Sequence, residues 1–135
     1  YFVQLERLDG LAAGLSVLVG FLISAILIVN NVRDIETDRR AGKMTLAVRV
    51  GRRDARLIFE SLVAGAFVLL PVALWLGDGP AWGLLALLSA PFAYQPVKAL
   101  RTRQDGASLN AALAATGRLV GGYAVLLTAG LLIGS

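Results

Sequence analysis

Long hydrophobic runs separated by short polar stretches dominate the chain. Residues 11–32 contain no charged side chain, and at about 1.5 Å per residue they make about 33 Å of helix, enough to cross a hydrocarbon core of about 30 Å. Three further apolar runs follow, and Glu60 and Arg118 are the only charged residues inside them. The pattern predicts an all-α membrane protein with four transmembrane helices, at about 11–38, 55–76, 80–98 and 108–134, and cytoplasmic loops at about 39–54 and 99–107.

The composition supports a single transmembrane domain. The 135 residues are 57% hydrophobic and 16% charged, against about 45–50% and about 25% in soluble domains. The chain has no Cys and no His, which excludes disulfides, Cys or His metal sites and histidine general bases and leaves carboxylates, cations, amides and hydroxyls for any chemistry. Because the first residue is Tyr1 rather than Met, we expect the chain to be part of a longer protein.

The basic residues predict how the chain is oriented. Residues 33–56 hold eight of the 13 Lys and Arg residues, and residues 98–106 hold three more. By the positive-inside rule both loops are cytoplasmic, so Tyr1, the turn at 77–80 and Ser135 lie outside. We therefore expect a multi-pass protein of the cell (inner) membrane. Juxtamembrane cations that face anionic headgroups account for the net charge of +4, and no nucleic-acid partner is predicted.

A group of oxygen-bearing side chains follows the first apolar run. If the helix continues through this segment, Asn30, Asp34, Asp38 and Asn31 fall within about 100° of one another, whereas Glu36 points the opposite way. Two carboxylates and two amides on one face, with no nitrogen or sulfur ligand, suit Mg²⁺, which one or two carboxylates and substrate phosphates typically hold. The face is therefore a candidate magnesium site.

Cations accompany these carboxylates. Lys43 lies just past Gly42, a residue that typically ends a helix, and Arg33 lies within a turn of the same face, so both can offer positive charge to phosphates. Met44 stands where a P-loop requires Ser or Thr, so this is not a P-loop. Alternating Asp and Arg at a helix end is also typical of a solvated, salt-bridged cap. The spacing alone leaves both interpretations open.

A resemblance favours the chemical interpretation. Residues 30–51 read N-N-V-R-D-I-E-T-D-R-R-A-G-K-M-T-L-A-V-R-V-G and resemble the second aspartate-rich motif of the UbiA superfamily of intramembrane prenyltransferases. More narrowly, they resemble the 1,4-dihydroxy-2-naphthoate polyprenyltransferases of menaquinone biosynthesis, whose version pairs N-N-x-R-D-x-x-T-D with G-K-x-T-L-A-V. Asn110 is similar to an Asn early in the last helix of that family. The resemblance implies a nine-helix bundle with its active site facing the cytoplasm, of which this chain is the C-terminal half.

The resemblance also implies a reaction. A polyprenyl group moves from its diphosphate to an aromatic quinone precursor, here 1,4-dihydroxy-2-naphthoate to give demethylmenaquinone, and Mg²⁺ is the cofactor. Asp34 and Asp38 would be catalytic metal ligands, and Lys43 would bind the diphosphate as a third catalytic residue. Asn30 or Asn31 would orient these ligands. Asn30, Asn31 and Arg33 are also candidate substrate-binding residues. The first aspartate motif would lie in the missing N-terminal half, so we expect this part alone to be inactive.

Two features inside the apolar runs have two interpretations each, and a third is predicted to be structural. Arg118, about one turn inside the cytoplasmic edge of the membrane's hydrocarbon core, could bind diphosphate or acceptor carboxylate, or could extend to the interface. Tyr94, between two prolines, could face the acceptor or belong to an interfacial aromatic belt. Glu60 is predicted to form a structural pair with Arg56, four residues earlier.

Two other functions stay open at this point. The chain could belong to a UbiA-type prenyltransferase with a different acceptor. It could also be a non-enzymatic four-helix membrane protein whose basic loop binds anionic lipid.

Overall fold

The chain is all-helical in the computed structural model, which describes the backbone of residues 2–134 and the side chains of residues 10–134. The predicted all-α class is confirmed, whereas the predicted external positions of Tyr1 and Ser135 lie outside the described residues. The described backbone forms five α-helices and one 3₁₀ helix, in this order: α1 (Phe2–Arg33), α2 (Ile35–Arg40), α3 (Leu46–Leu76), the 3₁₀ helix (Ala81–Ala93), α4 (Tyr94–Thr102) and α5 (Gly106–Ile133).

Within the described residues, three segments are long and apolar enough to cross a membrane: Gly10–Arg33, Leu46–Leu76 and Gly106–Ile133. Large apolar side chains such as Val68, Trp75 and Leu132 lie on the outer surface. In water such a surface would be costly, whereas in a bilayer it meets lipid or further helices. The fold therefore supports a multi-pass membrane protein.

The third apolar run differs from the predicted single α-helix. Residues 81–93 form a 3₁₀ helix, and α4 continues the chain to Thr102. Gly83, Ala86 and Ser89 are its buried residues, and this spacing of three matches the 3.0 residues per turn of a 3₁₀ helix. At about 2.0 Å per residue, the 13 residues extend about 26 Å, further than the same residues in an α-helix. The predicted fourth crossing stays a prediction.

The 3₁₀ helix packs closely against α5. A β-carbon at Gly130 of α5 would overlap the carbonyl oxygen of Trp82 and lie 2.9 Å from the backbone nitrogen of Gly83. At Gly122 it would lie 3.3 Å from the Phe92 ring. Small residues thus allow the two backbones to approach, as they do between membrane helices in general.

Helix α3 begins earlier than the predicted residue 55. Thr45 caps it, because its hydroxyl oxygen accepts a hydrogen bond from the backbone N–H of Val48 at 3.3 Å, the usual role of Thr at a helix start. Gly51 then kinks the helix at φ 87° and ψ 169°, a conformation open essentially to Gly alone. Beyond the kink, one apolar stripe faces the core: Ala55, Phe59, Val63, Ala66, Leu70 and Leu74.

Helix α1 packs against α3 and α5. Tyr123 of α5 connects that helix to α3 within the core. Its ring is fully buried and meets Phe67 edge to face, with 5.3 Å between centroids. Its hydroxyl donates a hydrogen bond to the carbonyl oxygen of Ala66 at 2.6 Å. The hydroxyl therefore has the partner that a polar group needs away from water.

The predicted pair between Glu60 and Arg56 is replaced by another. Glu60 accepts two hydrogen bonds from Arg101 of α4, at 2.6 and 3.1 Å, and none from Arg56. A guanidinium that reaches both oxygens of a carboxylate makes a stronger pair than a single bond would, and Arg101 does so from the neighbouring helix. The pair connects α3 to α4 close to the two basic loops.

Candidate active site

The α1–α2 junction places the first predicted metal ligand. Asp34 separates the two helices with φ −98° and ψ 11°, so the regular helix predicted through residue 38 is interrupted at this residue. The backbone bonds from Asp34 N to Asn30 O (3.2 Å) and from Asp38 N to Asp34 O (2.8 Å) nevertheless preserve the four-residue repeat. Asn30, Asp34 and Asp38 therefore follow one another along successive turns, as the sequence predicts.

Arg33 organises this junction. Its Nε donates to Asp34 Oδ1 at 2.9 Å and its Nη2 to Asp34 Oδ2 at 3.1 Å. The same Nη2 donates to Asn30 Oδ1, and Nη1 donates to Asn110 Oδ1 of α5 at 3.0 Å. Four of the five guanidinium N–H donors are thus used within the protein. Arg33 holds Asp34 in one orientation and connects it to the start of α5.

The end of α2 places Lys43 next to the turn of Asp38. The backbone N–H of Lys43 donates to the carbonyl oxygen of Asp38 at 2.8 Å, and that of Gly42 donates to Arg39 at 3.2 Å. Gly42 has φ +76°. These are the two bonds of a Schellman motif, with Gly in the left-handed position. The predicted helix end at Gly42 therefore occurs in a form that fixes the backbone of Lys43 against the last turn of α2.

The surrounding cations keep Asp34 ionised. The hydrogen bonds from Arg33 lower the pKa of Asp34 below its ordinary value, against an opposing effect of burial, and the charges of Arg33 and Lys43 lower it further. An ionised carboxylate is the form that binds a metal ion. Lys43 thus lies within electrostatic reach of Asp34, although its own side chain is exposed.

The donor set is compatible with Mg²⁺. No group of three or more His, Cys, Asp or Glu residues that could hold a metal ion occurs within the described residues. Mg²⁺ keeps several waters and commonly uses only one or two carboxylates together with substrate phosphates. Asp38 is half-buried, and the side-chain bonds to Asp34 use two of its about four lone-pair positions. The assignment of Asp34 and Asp38 as ligands of the ion stays a prediction.

Three other predicted site residues are not joined to this cluster by a hydrogen bond or ion pair in the described part of the chain. Asn31 is half-buried beside Asn30. Tyr94, at the start of α4, is 68% exposed, and the ammonium of Lys98 lies 5.7 Å from its ring centroid. Arg118 is exposed on α5, about 12 Å along the helix from Asn110. Their roles stay predictions.

Asn110 enters the site through a contact that local sequence patterns do not reveal. It lies 77 positions from Arg33 in sequence, so helix periodicity gives no sign of the pairing. The one available signal is the similarity of Asn110 to an Asn of the family's last helix. A second group that the sequence does not single out is a cleft lined by arginines at the ends of α3 and α4.

The helices and the junction together define a class: an apolar helical membrane protein that carries carboxylates, amides and cations at one helix end. Comparison with known proteins then identifies the family, because the family model described as "UbiA prenyltransferase family" matches residues 1–118. The chain belongs to the UbiA prenyltransferase family. Membership supports prenyltransfer and disfavours the alternative of a non-enzymatic lipid-binding protein.

Similar proteins carry the name predicted for the branch. The 1,4-dihydroxy-2-naphthoate octaprenyltransferase of Mycobacterium tuberculosis is 35% identical over 86% of this chain and 39% of its own length. The protein of the same name from Bacillus subtilis is 28% identical over 98% of the chain and 43% of its length, and that from Escherichia coli is 35% identical over 72% and 32%. The chain spans about two-fifths of the length of the first two. No solved structure matches the chain significantly.

Proposed function

We propose that the chain is the C-terminal part of a Mg²⁺-dependent membrane enzyme that transfers a polyprenyl group from its diphosphate to an aromatic quinone precursor. The observation that carries the proposal is the junction in which Arg33 holds the carboxylate of Asp34 at 2.9 and 3.1 Å, one turn before Asp38. Family membership and the names of the similar proteins support the same reaction class.

Each residue of the junction has a distinct role in this proposal. Asp34 and Asp38 hold Mg²⁺, which when bound neutralises the diphosphate as the allylic C–O bond breaks. Lys43 adds a positive charge toward the leaving diphosphate, and such charges lower the barrier because they act where negative charge develops. Arg33 and Asn30 orient Asp34. Asn31, Tyr94 and Arg118 are proposed to contact substrate, with Arg118 suited to an anionic group and Tyr94 to an aromatic ring.

The acceptor proposed is 1,4-dihydroxy-2-naphthoate, which would give demethylmenaquinone. It is the acceptor in the printed names of the relatives from Mycobacterium tuberculosis, Bacillus subtilis and Escherichia coli. The rest of the active site, with the first aspartate motif, is proposed to come from the N-terminal part of the same protein, in a nine-helix bundle with four crossings in this chain. The concentration of basic residues in two segments, 33–56 and 98–106, supports an active site on the cytoplasmic side of the cell membrane.

The acceptor and the metal ligands can both be tested in membranes that contain the full-length protein, and the acceptor is tested first. Labelled polyprenyl diphosphate is supplied with Mg²⁺ and either 1,4-dihydroxy-2-naphthoate or 4-hydroxybenzoate, and the prenylated product is quantified. We expect transfer to the naphthoate alone. Transfer to the benzoate instead would show a UbiA-type enzyme with a different acceptor.

Substitution separates the metal ligands from other acidic residues of the motif. Asp34→Asn and Asp38→Asn should each reduce transfer by about a hundredfold or more, because each removes a charged ligand. Glu36→Gln is the matched control, since Glu36 is exposed and bonds only weakly to Arg39, at 3.5 Å. If the Asp variants are as active as Glu36→Gln, the assignment of metal ligands is wrong.

A further inference from the structure

A cleft of about 260 Å³ lies between the start of α3 and the end of α4. Its polar lining consists mostly of guanidinium groups that two different segments contribute: Arg52, Arg53 and Arg56 from α3, and Arg101 and Arg103 from the end of α4 and the residue that follows it. Like charges that converge on one cleft repel one another unless an anion lies between them. The cleft is therefore electrostatically prepared for a negatively charged group.

The arginines have few acidic partners of their own. Among the described residues, Glu60 is the only carboxylate that forms a salt bridge with one of them, and it pairs with Arg101. Arg52 donates to the carbonyl oxygen of Val32 at 3.4 Å. The side chains of Arg53 and Arg103 are exposed and form no hydrogen bond or salt bridge with a described residue. The charge of Arg103 nevertheless acts on nearby Asp105, and its backbone N–H donates to the carbonyl oxygen of Ala99 at 2.8 Å. The Nε of Arg56 is buried and has no hydrogen-bond partner in the described part of the chain.

A buried N–H of a charged group without a partner is costly, and natural structures usually satisfy such a group with protein, water or an ion. The donor of Arg56 belongs to a residue that lines the cleft. An oxyanion in the cleft could accept from this donor, while Arg53 and Arg103 lie on the two segments around it. Guanidinium groups bind phosphate oxygens well because two parallel N–H donors match their spacing.

The cleft is separate from the candidate active site. Val32 of α1 lines it and is two residues from both Asn30 and Asp34. Two residues correspond to about 200° around a helix, so the cleft lies on the opposite side of α1 from the Asp34 junction. Its volume is also below the about 300–1,000 Å³ of typical small-molecule sites. A phosphate-sized headgroup fits this volume better than a large substrate.

We propose that this arginine cleft binds a phosphate-bearing anion, either the headgroup of an anionic phospholipid or free phosphate, and thereby joins the ends of α3 and α4. Basic pockets between membrane helices bind such headgroups in other proteins. The anion neutralises the arginines and supplements the Glu60–Arg101 pair. The proposal does not depend on the transferase activity, because none of the residues involved belongs to the Asp34 junction.

The test uses the full-length protein in neutral detergent and follows its thermal unfolding midpoint. Dioleoylphosphatidylglycerol is the anionic lipid, dioleoylphosphatidylcholine the zwitterionic control, and inorganic phosphate the soluble anion. The cleft variant is Arg53→Gln with Arg103→Gln, two exposed residues whose loss breaks no hydrogen bond within the described chain. The control removes two exposed charges outside the cleft, Arg40→Gln with Arg49→Gln, and it also loses the exposed hydrogen bond from Arg49 Nε to the carbonyl oxygen of Met44 at 3.1 Å.

Phosphatidylglycerol should raise the midpoint of the unaltered protein and of the control. In the cleft variant the half-maximal concentration should rise about fivefold for each charge removed, so about 25-fold in all. The same cleft-dependent loss with inorganic phosphate would identify free phosphate as the ligand, and its absence would identify the lipid headgroup. The single variant Arg103→Gln, with an expected fivefold loss, replaces the double variant if the latter does not fold. Equal responses of cleft variant and control, or no response to either anion, would overturn the proposal.

Discussion

Replacing Arg33 with Lys tests whether the guanidinium fork, rather than its charge, positions Asp34. Arg33 donates four hydrogen bonds to Asn30, Asp34 and Asn110 through three different nitrogens. A Lys ammonium keeps the charge, but its single nitrogen cannot form the two parallel bonds to Asp34 and also reach both amides. At least two of the four bonds should therefore be lost.

The size of the effect follows from the partial exposure of the pair. The side chains of Arg33 and Asp34 are 26% and 35% exposed, so each lost bond is worth about 1 kcal/mol rather than the about 1.5–3 kcal/mol of a buried charged bond. Two bonds amount to about 2 kcal/mol, which corresponds to about thirtyfold in kcat/KM if the orientation of Asp34 is needed in the transition state.

The assay measures prenyl transfer by the full-length protein as Mg²⁺ is varied, together with the thermal unfolding midpoint. Arg40→Lys is the matched control, because Arg40 is exposed in the same motif and forms no side-chain hydrogen bond to a described residue. We expect Arg33→Lys to lower kcat/KM about thirtyfold and to change the Mg²⁺ dependence, and Arg40→Lys to do neither. If Arg33→Lys changes the unfolding midpoint but leaves the Mg²⁺ dependence as in Arg40→Lys, Arg33 is structural and the reasoning fails.

Three further predictions concern packing and protonation. In a denaturation assay, Gly130→Ala should destabilise the protein by about 1–3 kcal/mol, because its β-carbon would overlap the Trp82 carbonyl. The control Gly106→Ala, whose β-carbon meets no atom within 4 Å, should change stability by less than about 0.5 kcal/mol. Tyr123→Phe keeps the ring but loses the bond to Ala66, so it should cost about 0.6 kcal/mol, with about 1.7 kcal/mol as the upper limit. Because Arg33 lowers the pKa of Asp34, this carboxylate stays ionised above its ordinary pKa of about 4, and apparent Mg²⁺ affinity should not fall between about pH 8 and about pH 5.5. A loss of affinity with a midpoint in that range would contradict the last prediction.

The sequence predicts the features that depend on local patterns. Residues 11–32 lack charge over the length of a bilayer, and the segment does lie within a long apolar helix. The four-residue spacing of Asn30, Asp34 and Asp38 survives the interruption at Asp34 because the backbone bonds across it remain. The Schellman turn at Gly42 follows from the one residue type that readily adopts positive φ there.

Features that depend on residues far apart in sequence, or on which type of helix the backbone forms, are not predictable in this way. The 3₁₀ helix forms in an apolar run whose pattern is equally typical of an α-helix. The small residues at 83, 86 and 89 indicate a 3₁₀ helix only once the packing of α5 against this segment is known. Arg33 finds Asn110, and Glu60 finds Arg101, across 77 and 41 positions. The sequence does not predict the early start of α3, because the charged residues at 49–56 are typical of a loop.

We propose that Asp34 and Asp38 hold the Mg²⁺ that binds the diphosphate of the prenyl donor. The most direct test of this proposal is equilibrium binding of a non-reactive prenyl thiolodiphosphate to the full-length protein, with and without Mg²⁺. We predict binding that requires Mg²⁺, that Glu36→Gln retains, and that the double variant Asp34→Asn with Asp38→Asn loses by at least about a hundredfold. Mg²⁺-dependent binding of equal strength in that double variant would contradict the account.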